Sequence, residues 1–273
     1  MDMNIKYIRI CSDLHLEGFA GREPAINADK FIPADERDSE SILILAGDIS
    51  SLTWQLKSFI EYLSPKFAAI IYVAGNHEFY KGDINATADS IMNHFDGINF
   101  PNVYFPGNSV QELRIAGCRF IYGTLWTDGG STLAERALVG YSLNDFRLIK
   151  NGNHIFTVSD MVDIFKSQKA EIERLLKIPF EGKSVVITHH MPSHRLCHPR
   201  FGTDINGGFA SNLEDILAYD HAPNLWIHGH THDTIDTQLW KCRIIANPAG
   251  YRSETKASQF NTFAPLFLSL SEL

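Results

Sequence analysis

An α/β fold of two sheets packed face to face, with helices outside, is what this sequence predicts, and two observations carry it. Short β-branched runs recur along the chain, and several stop at a polar segment rich in Asp, Asn and His. Helical patterns separate some of these runs, while others follow one another directly as hairpins. Near-continuous Ile, Val and Leu runs mark strands buried on both faces. A mixture of βαβ units and antiparallel hairpins calls for two sheets that share one core.

In order, residues 5–11 form a strand leading to Asp13, and 41–46 a strand leading to Gly47-Asp48. Residues 53–63 follow as a helix, with Trp54, Leu56, Phe59, Ile60 and Leu63 apolar and Ser64-Pro65 closing it. Residues 68–74 form a strand before Gly75-Asn76, and 83–95 a helix. Residues 110–115 and 119–125 bracket Ala116-Gly117 as a hairpin. A long helix over 159–176 takes Ser159 as its N-cap. Strands over 184–188 and 224–227 lead to His189 and His228, with a short helix over 209–217 between them. A second hairpin, 234–240 with 243–247, and a last strand over 265–270 complete the set. Two segments, 15–38 and 127–152, are polar and irregular. Such loops serve either as lids and specificity elements or as surface.

The chain has 273 residues, enough apolar content for a core that needs no staples, and no linker or repeat. With the polar motifs spread from Asp13 to His232, a single domain over 1–273 is expected. No run approaches the roughly 18 apolar residues of a membrane span. Residues 1–6 lack the pattern of a signal peptide. Cys11, Cys118, Cys197 and Cys242 show no CxxC spacing, so reduced thiols and a cytoplasmic location are expected. A net charge of −8 disfavours nonspecific nucleic-acid binding, which depends on Lys and Arg at phosphates. A small phosphorylated substrate stays open, because the local charge of a metal outweighs the global field.

Five segments carry the chemistry: Asp13-Leu14-His15, Gly47-Asp48, Gly75-Asn76-His77-Glu78, His189-His190 and His228-Gly229-His230-Thr231-His232. Each alone has a bland reading as a turn or as buried histidines with backbone partners. Together they offer carboxylates, imidazoles and an amide oxygen, the mixed donor set that suits Mn, Fe, Zn or Ni over Mg or Ca. If extended geometry persists past the strands, Asp13 with His15, and His228 with His230, point to one side. Asp48 has two oxygens with which to bridge two cations. Adjacent His189 and His190 face opposite ways, so one ion takes one of them, and His190 either meets substrate or packs. His232 reads as a supporting or exposed residue, and Glu78 likewise.

In this order the motifs resemble the calcineurin-like metallophosphoesterase superfamily, whose signature is D-x-H, G-D, G-N-H-[DE], H and G-H-x-H. The resemblance covers residues 5 to about 250 and implies a four-layer α/β/β/α sandwich with a dinuclear centre at its edge. It implies that Asp13, His15 and His230 hold one metal, that Asn76, His189 and His228 hold the other, and that Asp48 bridges. His77 matches the catalytic histidine that serves the leaving oxygen, and residues 247–251 resemble a closing loop. Ser/Thr phosphatase members carry an Asp three residues after the bridging Asp, paired with that histidine. Here the position is Ser51, so a protein phosphatase role is disfavoured and the partner that orients His77 is open.

The implied activity is hydrolysis of a small-molecule phosphodiester or phosphomonoester by attack of a metal-bridging hydroxide. Two divalent ions, two aspartates and a hydroxide leave a net charge of about +1, which suits a phosphate. A non-catalytic scaffold is disfavoured by the complete ligand set. A metal-dependent nuclease is disfavoured by the acidic balance. Arg22, Arg136, Arg147, Arg195, Arg200 and Arg252 are candidates to grip an anionic group, with His190 and Arg195 the nearest to a motif. Residues 201–208 are a candidate substrate wall. Oligomeric state is open.

Overall fold

Alternation of side chains along the strands builds three apolar layers from one set of runs. The computed structural model describes residues 4–19, 23–202, 204–251, 253–254 and 263–273. Its elements begin β1 (Tyr7–Cys11), α1 (Pro24–Phe31), β2 (Ser41–Ala46), α2 (Thr53–Leu63), β3 (Ala69–Val73), α3 (Ile84–His94) and β4 (Val103–Tyr104). The hairpin β5 (Gln111–Ile115) and β6 (Cys118–Tyr122) follows, then α4 (Leu133–Ser142), α5 (Asp145–Leu148), and the small ribbon β7 (Lys150–Asn151) and β8 (His154–Ile155). The remainder runs α6 (Val158–Lys177), β9 (Lys183–Ile187), α7 (Glu214–Ala218), β10 (Leu225–His228), β11 (Ile235–Leu239), β12 (Cys242–Ala246) and β13 (Leu266–Ser269).

One sheet has the order β13-β1-β2-β3-β4, the other β11-β12-β10-β9-β6-β5. Both are mixed: β1 to β4 are parallel with β13 antiparallel at the edge, and β6, β9, β10 and β12 are parallel between antiparallel β5 and β11. Ile8, Ile10, Ile42, Ile44 and Ile71 from the first sheet pack with Phe120, Val185, Ile187, Ile227 and Ile245 from the second in one buried cluster. The alternate residues Leu43, Leu45, Ile70 and Tyr72, with Val186, Trp226 and Ile244, pack instead with Leu56, Phe59, Ile91, Phe165 and Ile172 of the helices. Period-2 alternation on strands apolar at most positions therefore yields helix, sheet, sheet, helix. This is the α/β sandwich expected. Among the described residues no helix is long and apolar enough to cross a membrane.

Departures from the expected elements have local causes. The long helix starts from Thr157 and not Ser159, because Thr157 and Asp160 form a reciprocal capping box. Residues 127–152 are not irregular throughout: a second capping box, Thr132 with Glu135, starts α4. Segment 15–38 contains α1, and Arg9 on β1 holds its far end through Asp38 at 2.6 Å and the Pro33 carbonyl at 2.8 Å. That ion pair is buried, so losing one partner would strand the other charge. The helix expected over 209–217 shrinks to Glu214–Ala218, since Ala210 is drawn into a bridge with Met191.

Candidate metal centre

All five motifs leave the carboxyl ends of parallel strands, β1, β2, β3, β9 and β10, so the two sheets deliver them to one edge. The chain does not stay extended there. Asp13, His15, Asp48, His230 and His232 all take left-handed φ, between 46° and 80°. That conformation costs non-glycine residues on the order of 1–3 kcal/mol each and gathers at functional sites. Gly229 lets this happen: a Cβ there would lie 2.5 Å from Asp13 Oδ2. The His230 N–H instead donates to both Asp13 oxygens, at 3.0 and 3.1 Å. At Gly75 a Cβ would lie 2.1 Å from Asp48 Oδ1.

Three groups of donor atoms form: His15, Glu17 and His77 are one, and the other two flank Asp48. Asp13, His15 and His232 make the first of these two: His15 Nε2 is 3.0 Å from His232 Nε2, which is 3.5 Å from Asp13 Oδ1. Asp48, His189 and His230 make the other: His189 Nε2 is 3.4 Å from Asp48 Oδ2, 3.2 Å from His230 Nδ1 and 3.2 Å from Asn76 Oδ1. Asp48 Oδ2 also lies 3.9 Å from His15 Nε2, between the groups, and 4.0 Å from His77 Nε2.

The donor groups combine the histidines differently from the expected set. His232 is buried and stands with Asp13 and His15, where His230 was expected; His230 stands with His189 and Asp48, where His228 was expected. His228 joins neither group. It ends β10 on the face of Trp226, with Nδ1 3.1 Å from the Gly229 carbonyl and Nε2 without a partner. The left-handed residues after Gly229 bring His230 and His232, and not His228, to the donor groups.

Supporting contacts hold the groups in place. Glu78, buried and not on the surface, accepts the backbone N–H groups of Asp48, Ile49 and Gly75 at 3.0, 2.7 and 2.8 Å. Burial and the nearby Asp48 push its carboxyl up to about 8. The Asn76 side-chain amide donates to buried Asp145 at 2.8 Å, which leaves its oxygen facing His189. Tyr80 donates to the same Asp145 oxygen at 2.8 Å and stacks on His77, ring centroids 4.2 Å apart. Sequence gave no sign of Asp145, which arrives on α5 from 69 residues away. His190 packs: both ring nitrogens are buried without partners, its ring lies 5.3 Å from Trp126 and 4.3 Å from His230, and burial drives its pKa down to about 3. Asp48 is held well below the carboxylate range; burial opposes its charge, but His189, His77 and His15 outweigh that.

A cleft of about 230 Å³ opens over the groups, with Tyr80, Asn144, Phe209, Tyr251 and Glu254 in its walls. Tyr251, from the expected closing loop, brings its hydroxyl to 3.1 Å from His77 Nε2. The expected wall over 201–208 is displaced: Phe209 is the residue that faces the cleft, and Thr203 lies outside the described residues. Arg22 and Arg252 also lie outside them. Arg136 binds the Gly130 carbonyl, Arg147 the Tyr141 carbonyl, Arg195 Glu214, and Arg200 Asp233 and the Thr231 carbonyl.

The donor set fits divalent metal ions. Imidazole nitrogens facing one another at 3.0 Å, and again at 3.2 Å, bring lone pairs together unless a proton or a cation lies between. His230 Nε2 is buried without a partner, and a neutral amide oxygen joins the second group. Mixed imidazole, carboxylate and carbonyl donors are the chemistry of Mn, Fe, Zn or Ni sites.

The fold and this cluster define a two-sheet hydrolase of phosphate esters. Residues 7–234 match the calcineurin-like phosphoesterase family, and the chain belongs to it. An uncharacterised protein of Acanthamoeba polyphaga mimivirus is 29% identical over 95% of this chain and 96% of its own length. Among solved structures, phosphopantetheinyl hydrolase from Mycobacterium tuberculosis superposes with a TM-score of 0.74 at 18% identity, over 95% of this chain and 94% of that one. A putative 5′-nucleotidase from Staphylococcus aureus aligns at 0.47 and 15% identity, over 90% of this chain and 48% of that one.

Proposed function

We propose that this phosphoesterase hydrolyses a small-molecule phosphodiester or phosphomonoester at a dinuclear centre, as one domain spanning the chain. The convergence of the two donor groups on Asp48, beside His77 and under a cleft, is the observation that supports it. Asp13, His15 and His232 would hold one ion, Asn76, His189 and His230 the other, with Asp48 shared. Bound there, divalent ions supply Lewis acidity to phosphoryl oxygens and lower the pKa of water toward about 7. The chain's own work is to hold these donors, to exclude bulk water with Phe209 and Tyr251, and to offer a proton from His77 Nε2 to the leaving oxygen. Cys11, Cys118, Cys197 and Cys242 are all free thiols, which suits a reducing cytoplasm.

Phosphomonoesters and phosphodiesters assayed with Mn, Ni, Fe and Zn test the proposal. Activity is expected to disappear on chelation and dialysis and to return with a transition ion; full activity without metal would overturn it. The histidine assignment has its own test. His232→Ala is expected to lose about one ion per chain by elemental analysis, while His228→Ala keeps its metal. The reverse pattern would restore the assignment expected from sequence.

A further inference from the structure

His77 and His15 share an unassigned neighbour. On the cleft side, His77 Nε2 faces the Tyr251 hydroxyl at 3.1 Å and His15 Nε2 faces His232 at 3.0 Å. On the other side, one oxygen of Glu17 lies 3.1 Å from His15 Nδ1 and 3.5 Å from His77 Nδ1. The second Glu17 oxygen accepts the Ser51 N–H at 3.1 Å. The two rings themselves meet edge to face, centroids 4.6 Å apart.

We infer that Glu17 is a positioning residue for both histidines, setting the orientation and tautomer of each from behind. This rests on the function proposed above and adds a residue to it. A carboxylate at Nδ1 favours the proton there. For His15 that leaves the Nε2 lone pair toward His232 and Asp13; for His77 a partner at Nδ1 fixes the ring plane so that Nε2 faces the cleft. Glu17 is well placed to do this: its side chain is 24% exposed, and both oxygens are engaged by partners from three separate segments. Ser51 carries no carboxylate, yet its backbone fixes one that comes from the turn after β1. A glutamate that merely closed that turn would not need to reach two imidazoles on different loops.

A double-mutant cycle tests the inference, using an alkyl ester and a nitrophenyl ester of the class the wild type hydrolyses. Glu17→Gln is expected to lower kcat on the alkyl ester roughly 10–100-fold, the usual cost of removing such a partner. KM should stay level and metal content full, the nitrophenyl ester should suffer much less, and Glu17→Asp should recover part of the loss. In a His77→Ala background Glu17→Gln should add little further loss on the alkyl ester. In the metal-free protein, the ring ¹⁵N resonances of His77 should shift on Glu17→Gln. Additive losses, equal losses on both esters, or unshifted His77 resonances would overturn the shared role. Loss of one ion with His77 unshifted would overturn it too, by assigning Glu17 to His15 alone. A wild-type protein without metal-stimulated hydrolysis would count against the functional proposal instead, and the ¹⁵N comparison would still report on Glu17.

Discussion

Asp48→Asn is expected to leave the chain folded, reduce bound metal from two ions to at most one, and lower turnover by roughly 10²–10³-fold or more, at least the scale of losing one preorganised electrostatic contact. Asp48 is buried, and its Oδ1 accepts the His77 N–H at 2.9 Å, a bond that an asparagine oxygen can keep. The second oxygen is the one without a substitute. It lies 3.4 Å from His189 Nε2 and 3.9 Å from His15 Nε2, and an amide NH₂ would turn a donor toward both donor groups. No other described carboxylate belongs to the His189 and His230 group. The fold should tolerate the change, because losing Asp48's charge relieves Glu78, whose carboxyl is pushed up by burial and by that same charge. Elemental analysis beside a thermal melt separates the outcomes: two ions per chain in a folded variant would remove Asp48 from its shared position.

Much of this was legible because strands buried on both faces leave no other reading. The runs at 42–46 and 68–74 carry no charged or strongly polar side chain, and the motif that follows each had to emerge at a sheet edge. The helix over Thr53–Leu63 agrees to the residue with its apolar pattern and its Ser64-Pro65 stop. The histidine register was less legible. His228-Gly229-His230-Thr231-His232 contains two overlapping H-x-H triplets, and an extended backbone makes them equivalent. Left-handed φ at His230 and His232 breaks the tie, together with a glycine whose missing Cβ admits Asp13. A local pattern does not encode that approach from 217 residues away. Asp145 and Glu17 were hidden for a related reason. Each is an ordinary acidic residue in a polar segment, and only the tertiary fold turns one toward Asn76 and the other toward His77. Thr157 differs: its capping box with Asp160 is a local pattern, and it outcompetes Ser159 because both members satisfy a free N–H at the helix start.

His77→Ala should separate metal binding from proton transfer. His77 belongs to neither of the two donor groups that meet at Asp48; it sits on their cleft side, with its Nε2 4.0 Å from Asp48 Oδ2 and facing the Tyr251 hydroxyl. Removing the ring leaves Asp13, His15, His232, Asp48, Asn76, His189 and His230 in place, so full metal content is expected. The His77 N–H that braces Asp48 Oδ1 is backbone and survives the change. What is lost is a proton donor: Asp48 and Glu17 keep the ring cationic against the opposing effect of burial, pushing its pKa up to about 9. A general acid is typically worth about 10²–10⁴-fold, and its worth rises with the basicity of the leaving oxygen. Turnover of alkyl esters should therefore fall across that range, while nitrophenyl esters, whose leaving oxygen needs no proton, fall far less. A plot of log kcat against leaving-group pKa should steepen in the variant. An unchanged slope with full metal content would assign His77 to charge stabilisation at the phosphoryl group instead. Loss of metal would make it a ligand, and the cleft would then need another acid, for which Tyr251 at 3.1 Å from the vacated Nε2 position is the nearest described group.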